Sequence, residues 1–340
     1  MYEQLSSAID QLRINAGRYA QAERYYAGKH NLAFASEKFR STFGSLFREF
    51  AMNLCPAICD ALRDRLKISG FSVADDNGRS LAAAARQIWH RNRMDLRAGE
   101  VHKTAVLCGD AYVVVWPEDS GEVAIYPHKP ANVCVFYDEA APGRVTLAAK
   151  CWRQPDGRVR INIFFRDRVE RYISLGTSEL AVPDVRSFVP TADGIAENPF
   201  GVVPVFHFAN NGDIGSYGIS ELESAIPIQD GLNKAVLDML VAMEFSAYRQ
   251  RWAVGIEYDV DTDGKPMKPF NSGVEHLWIT DNPNARFGDF AAADLEQFLK
   301  VKDGFRMDMA SVTGTPLYYL MPQIKGIPSG ESLKKAETRF

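Results

Sequence analysis

Leu5, Ile9 and Leu12, and later Phe39, Phe43, Leu46, Phe47 and Phe50, recur three to four residues apart. That period predicts helices through most of residues 1–67. They are interrupted in YYAGKHNLAFAS, where Gly28 breaks the pattern. ADDNG at 74–78 reads as a turn. RSLAAAARQIWHRNRMDLRAGEVHKTAVLCG then predicts two helices joined near Asn92 and ending at Gly109. From there the period shortens to two. DAYVVVWPEDSGEVAIYPHKPANVCVFYD carries two or three strand-like runs divided by turn signals at 117–121 and 127–130. VTLAAKCWRQPDGRVRINIFFRDRVERYIS continues as strands around a turn at 155–157. ENPFGVVPVFHFANN, with two prolines, predicts an edge strand or an extended connector.

Residues 226–252, IPIQDGLNKAVLDMLVAMEFSAYRQRW, predict one long helix with Pro227 in its first turn. Its apolar residues make two stripes. Ile228, Leu232, Met239 and Met243 form one; Leu237, Val241, Phe245, Tyr248 and Trp252 form the other. At about 100° per residue the stripes point in nearly opposite directions, whereas a surface helix of a monomer shows one. Asp230, Lys234 and Asp238 lie on the side of the second stripe and mark where that side opens to solvent or a channel. Two arrangements satisfy such a helix: burial in the middle of a monomer, or packing against a second copy. Short strands follow in WAVGIEYD and EHLWITD. A second helix spans 294–312, with Leu295, Phe298, Leu299, Phe305, Met309 and Val312 on its apolar side. TGTPLYYLMPQIKGIPSG is a loop punctuated by Gly and Pro. ESLKKAETRF opens a further helix with Ser329 in the capping position. The chain stops inside that helical pattern, which raises the expectation of a C-terminal portion beyond it.

The 340 residues leave room for two or three domains, and 46% hydrophobic with 24% charged residues is ordinary for a folded chain. No apolar run is long enough for a membrane span, and MYEQLSSAIDQLRINAG lacks the pattern of a signal peptide. Cys55, Cys59, Cys108, Cys134 and Cys151 are odd in number and dispersed, unlike a disulfide framework. Cys55 and Cys59 share a helix face and read as small core residues rather than a metal or redox pair. A formal charge of −4 argues against wrapping of nucleic acid by a basic domain. It suits a surface that DNA slides past, because each neutralised phosphate adds affinity through counterion release.

Candidate chemistry is sparse. DVDTDG at 259–264 opens like a calcium-binding EF-hand loop, but Phe270 stands where the bidentate Glu belongs and Pro266 and Pro269 fit the loop badly. A solvated acidic turn between strands accounts for it better. The six histidines form no HExxH, HxH or close Cys–His pairing, so no metal or cofactor is expected. GxSxG, GxxxxGK[ST] and GxGxxG are missing. Tyr25, Tyr26, Phe34, Phe39, Phe43, Phe47 and Phe50 could make a stacking platform for bases; their helical spacing favours the core.

The order of YYAGKH, NLCPAICDAL, IWHRNRMD, GDAYVVVWPEDSG, NPFGVVPVFHFANN, GISELESAIPIQDGLNK and PSGESLKKAETRF resembles the portal proteins of tailed bacteriophages. The likeness is to the branch from phages of Gram-positive, especially actinobacterial, hosts, and it covers essentially the whole chain. It implies an α+β portal fold: an α/β wing at 1–219, stem helices at 220–252 and 291–313, and a small β-containing clip at 253–290. A tunnel loop at 314–328 and the start of a further helix at 329–340 complete it, with the crown missing. It also implies a non-enzymatic ring, typically of twelve copies, at one capsid vertex. Such a ring is assembled in the host cytoplasm and carries double-stranded DNA in packaging and ejection. The expected partners are capsid or scaffolding protein, the large terminase subunit and then the head–tail connectors, with no membrane.

Under this resemblance Leu237, Val241, Phe245, Tyr248 and Trp252 line the contact between neighbouring subunits, which explains the second stripe. Asp259, Asp261, Asp263, Lys265 and Lys268 belong to the docking surface, and Tyr318, Tyr319, Gln323 and Lys325 to the channel. The competing readings are an intracellular α/β enzyme acting on nucleic acid, which would run as a monomer or dimer, and a calcium-regulated module on DVDTDG. Lys325 is the basic side chain of the tunnel loop, a sparse guide for phosphates in an otherwise acidic bore. Lys325→Glu phage are expected to package or retain less DNA, read from the DNA content of purified particles.

Overall fold

The computed structural model describes residues 2–31, 34, 37, 41, 51–74, 78–118, 120–247, 251–255, 282–289, 295–321, 330, 331 and 337. Its helices are α1 (Tyr2–Tyr26), α2 (Cys55–Arg63), α3 (Gly78–Arg91), α4 (Met94–Cys108), α5 (Ala225–Ala247), α6 (Leu295–Thr313) and the single turn α7 (Leu317–Leu320). The strands are β1 (Asp110–Pro117), β2 (Val123–His128), β3 (Val133–Tyr137), β4 (Val145–Arg153) and β5 (Arg158–Phe164). They continue as β6 (Arg168–Thr177), β7 (Phe188–Glu197), β8 (Val205–Ala209), β9 (Arg251–Val254) and β10 (Arg286–Asp289). The expected helix containing Phe39, Phe43, Leu46, Phe47 and Phe50 lies outside the described residues.

β3 to β7 form an antiparallel meander in chain order. Alternation along the strands places Cys134, Ala149, Cys151, Ile161, Ile163 and Tyr172 on one face. Leu5, Ile9 and Leu12 of α1 close over that face. The second half of α1 turns Tyr19, Ala22 and Tyr25 into a helical cluster with Cys55, Ile58, Cys59, Leu107, Leu222 and Met309. One 25-residue helix therefore spans two cores. All five cysteines are free and buried. Burial pushes the Cys55, Cys108, Cys134 and Cys151 thiols up to about 12, so they behave as small apolar residues.

The second sheet has the order β2-β1-β8, so β8 is an edge strand, as its flanking prolines predict. Tyr112, Val114 and Val205 from this sheet pack with Val133, Val135, Ala148, Phe164 and Val169 from the first. The free edge of β3 is closed by one side chain. The Tyr217 hydroxyl accepts from the Val135 N–H at 3.3 Å and donates to the Val135 carbonyl at 2.8 Å. Gly109 ends α4 with a left-handed φ of 89°. A Cβ there would stand 2.8 Å from the Gly218 carbonyl, and the Asn210 N–H donates to the Gly109 carbonyl at 2.8 Å. Two backbones cross here with no room for side chains.

Beside the crossing lies Asp110, fully buried. Its carboxylate accepts from the Tyr19 hydroxyl, from His207 Nε2 and from the Gly218 N–H, each at 2.7 Å, and from the Arg18 guanidinium. The Tyr137 hydroxyl meets His207 Nδ1 at 2.5 Å, and the Tyr112 ring stacks on the imidazole at 4.7 Å. α1, β1, β8 and the segment after β8 are thus joined at one charge.

The long helix differs from expectation. It runs Ala225–Ala247, and Arg251–Val254 is already a strand paired with Arg286–Asp289. Trp252 is therefore a strand residue and continues no helical stripe. α6 packs on the side of α5 between the two apolar stripes, where Gly231 sits. A Cβ on Gly231 would be 2.8 Å from the Phe305 ring, and helical spacing brings Ala235 and Ala242 to the same side. Small residues let the two helices approach closely.

Asp110→Ala leaves Arg18, His207, the Tyr19 hydroxyl and the Gly218 N–H without their acceptor. It is expected to cost about 3–5 kcal/mol of stability, measured by denaturant unfolding. Gly231→Val is expected to cost about 1–3 kcal/mol through overpacking against Phe305. Part of that loss should return in the Gly231→Val/Phe305→Leu double variant, which a thermal melt would resolve.

Candidate functional site

The feature that stands out from the two cores is the pair α5 and α6 with the β9–β10 ribbon beyond. The base of α5 is held by polar contacts. The buried Gln229 amide accepts from the Leu54 N–H at 2.9 Å and donates to the Met52 carbonyl at 2.9 Å. Asp230 accepts the Tyr25 hydroxyl at 2.8 and 2.9 Å. Asn233 meets His30 Nδ1 at 2.8 Å, and His30 Nε2 reaches the Tyr25 carbonyl at 3.1 Å. Burial raises the Asp230 carboxyl and lowers the His30 imidazolium. The Tyr25 hydroxyl, buried and bonded to Asp230, is pushed up to about 12. For Asp230 the expected opening to solvent or a channel is thereby corrected, whereas Lys234 and Asp238 are only partly covered. Asp230 points inward to Tyr25, and Lys234 and Asp238 close on each other as an ion pair four residues apart.

The apolar residues of the outer part divide into two groups. Leu232 and Leu237 are satisfied within the chain; Leu237 is 2% exposed. Its expected place at a contact between subunits is therefore corrected: its side chain is already covered by its own protomer. Val241 is half-buried, and Met243 is exposed. The Phe245 side chain and all of Tyr248 lie outside the described residues. Trp252 is 38% exposed, with its ring lying over Gly288. On α6, Leu299 is 47%, Met307 51% and Val312 53% exposed, and Val254 on β9 reaches 60%. Periodicity found the apolar character of Leu299 and Val312. It missed Val301, Met307 and Phe287, which are exposed as well and are flanked in sequence by charged residues or glycine.

After α6 the chain passes Gly314, at a left-handed φ of 69°, into α7. Tyr318 and Tyr319 sit there with ring centroids 4.7 Å apart. The Tyr318 hydroxyl bonds Glu337, and Arg65 pairs with the same carboxylate at 2.9 Å. Of the expected channel residues, these two are placed; Gln323 and Lys325 lie outside the described residues. So do Asp259, Asp261, Asp263, Lys265 and Lys268, and the capping Ser329. Among the described residues no group of three His, Cys, Asp or Glu side chains converges on a metal position. No described helix is long and apolar enough to cross a membrane.

The family model described as "Phage portal protein, SPP1 Gp6-like" matches residues 7–339. The portal protein of Mycobacterium phage L5 is 23% identical over 298 residues, 83% of this chain and 58% of that relative. The portal protein of Mycobacterium phage D29 is 22% identical over 293 residues, with 83% and 58% covered. The chain thus spans less than two thirds of the length of these curated relatives. A solved chain described as "Neck of native GTA particle computed with C12 symmetry" superposes with a TM-score of 0.43 at 11% identity, covering 83% of this chain and 69% of that one. Mixed helix and sheet, apolar side chains left uncovered on a projecting helix pair, and a family match from end to end agree with one another: the chain belongs to the phage portal protein family, SPP1 Gp6-like, whose members are structural rather than enzymatic.

Proposed function

We propose that the chain is the repeating subunit of a portal ring at one vertex of a phage capsid, lining a conduit for double-stranded DNA during packaging and ejection. The observation that carries this reading is the uncovered apolar surface of α5, α6 and the β9–β10 ribbon. Met243, Leu299, Val301, Met307 and Val312 lie on two helices whose mutual contact runs through Gly231 and Phe305 instead. Exposed apolar side chains on both helices of the pair leave area for a partner to cover. In a closed ring that partner is the next copy, meeting a different patch from the one it offers in turn.

The remaining assignments follow from the same reading. Residues 1–219 form the wing, α5 and α6 the stem, 253–290 the clip and 314–328 the tunnel loop. The clip, with Asp259, Asp261, Asp263, Lys265 and Lys268, receives the large terminase subunit and afterwards the head–tail connectors. Tyr318 and Tyr319 stand at the start of the tunnel loop, with Gln323 and Lys325 further along it. Each copy contributes a formal charge of −4, so a ring of them repels the DNA it conducts and leaves it free to slide.

Purified chain is expected to elute at many times 37.9 kDa and to show annular particles by negative-stain microscopy. The Leu299→Glu/Met307→Glu double variant is expected to remain folded by thermal melt but to lose the annuli. Rings that persist in that variant, or a parent chain that stays monomeric, would sink the reading.

A further inference from the structure

We propose that the face of the five-stranded sheet turned away from α1 carries a phosphate-binding row that holds nucleic acid, at a place separate from any channel lined by α5 and α6. On that face, beyond the row of Ala148, Phe164 and Val169 that packs against the second sheet, Lys150 of β4 stands opposite Asn162 of β5, and Asn162 stands opposite Arg171 of β6. One pair further along, Trp152 of β4 stands opposite Arg160 of β5. The Lys150 ammonium lies 4.7 Å from the centre of the Trp152 ring, and the Arg160 guanidinium 5.8 Å from it. Neighbouring strands are about 4.8 Å apart, so the cations of β4 and β6 are separated by roughly 10 Å. That distance is within reach of two phosphates of one nucleic-acid backbone.

The cations are poorly neutralised from within. Asp193 of β7 is shared between Arg171 and Arg160, the latter at 3.7 Å. Lys150 has no carboxylate partner among the described residues. Arg160 Nε is buried without any partner. Burial holds the Lys150 ammonium below its ordinary range. His128 is pushed down to about 4, first by burial and then by Lys150 and Arg97. Burying a cation without its counter-charge is costly, and a chain whose formal charge is −4 does not gather such a cluster through composition. A ligand that brings its own negative charges relieves the cost. Cations spread over three neighbouring strands favour an extended polyanion over a single acidic side chain of a folded partner.

Fluorescence polarisation of the full chain with a labelled duplex of about 20 base pairs, between about 50 and 200 mM salt, tests the proposal. The parent is expected to bind. Lys150→Met should weaken binding several-fold and reduce the salt slope by about one, and Lys150→Met/Arg160→Met should weaken it further. Arg13→Gln, which removes a charge from α1 on the opposite side of the sheet, should match the parent. The proposal is overturned if the duplex does not bind at low salt, or if Arg13→Gln costs as much as Lys150→Met. It is equally overturned if the double variant binds normally while melting like the parent, or if a poly-glutamate peptide binds in the duplex's place. Binding by the unassembled chain counts whether or not rings form, so this result and the imaging of annuli are independent.

Discussion

A fully buried carboxylate that accepts four donors fixes how the pieces of this chain are arranged. Asp110 opens β1 directly after the Gly109–Gly218 crossing, and Arg18, Tyr19, His207 and Gly218 all converge on it. The donors come from three separate stretches of sequence, α1 supplying both Arg18 and Tyr19, and none can leave without exposing a charge in a dry place. Apolar packing tolerates small slides; a carboxylate ringed at 2.7 Å does not. The two sheets and the long N-terminal helix are therefore held in one register, and the helix pair α5 and α6 projects from a base that does not yield.

That base is itself polar. Gln229, Asp230 and Asn233 of α5 bond to Met52, Leu54, Tyr25 and His30, so the foot of the projecting helix is anchored by directional contacts as well as by Leu222, Ala225 and Met309 in the core. Farther out the polar anchors cease and the apolar residues are only partly covered. The helix changes along its length from a core element to a surface that needs company.

Local order was largely legible from the sequence. The helices ending at Gly109, the strands β3 to β6 and the edge position of β8 follow from period, glycine and proline, whereas β7 and the meander pairing do not. What escaped was long-range. Nothing around Asp110, in LCGDAYVVV, announces that its partners sit 92, 97 and 108 residues away. Periodicity placed Leu237 and Trp252 on one stripe because it cannot see that the helix gives way to a strand by Arg251, nor which flank the chain covers with its own atoms. The Gly231 contact was equally silent, since a glycine within a helix adds nothing to an apolar pattern.

The Tyr217 hydroxyl on the Val135 peptide groups has one more consequence. An open strand border is a template on which identical molecules can stack without limit. Here a phenol takes the place of the next ladder rung, donating where a neighbour's amide would donate and accepting where its carbonyl would accept. Growth by sheet extension is blocked at that border, and a second copy arriving there is left to meet side chains.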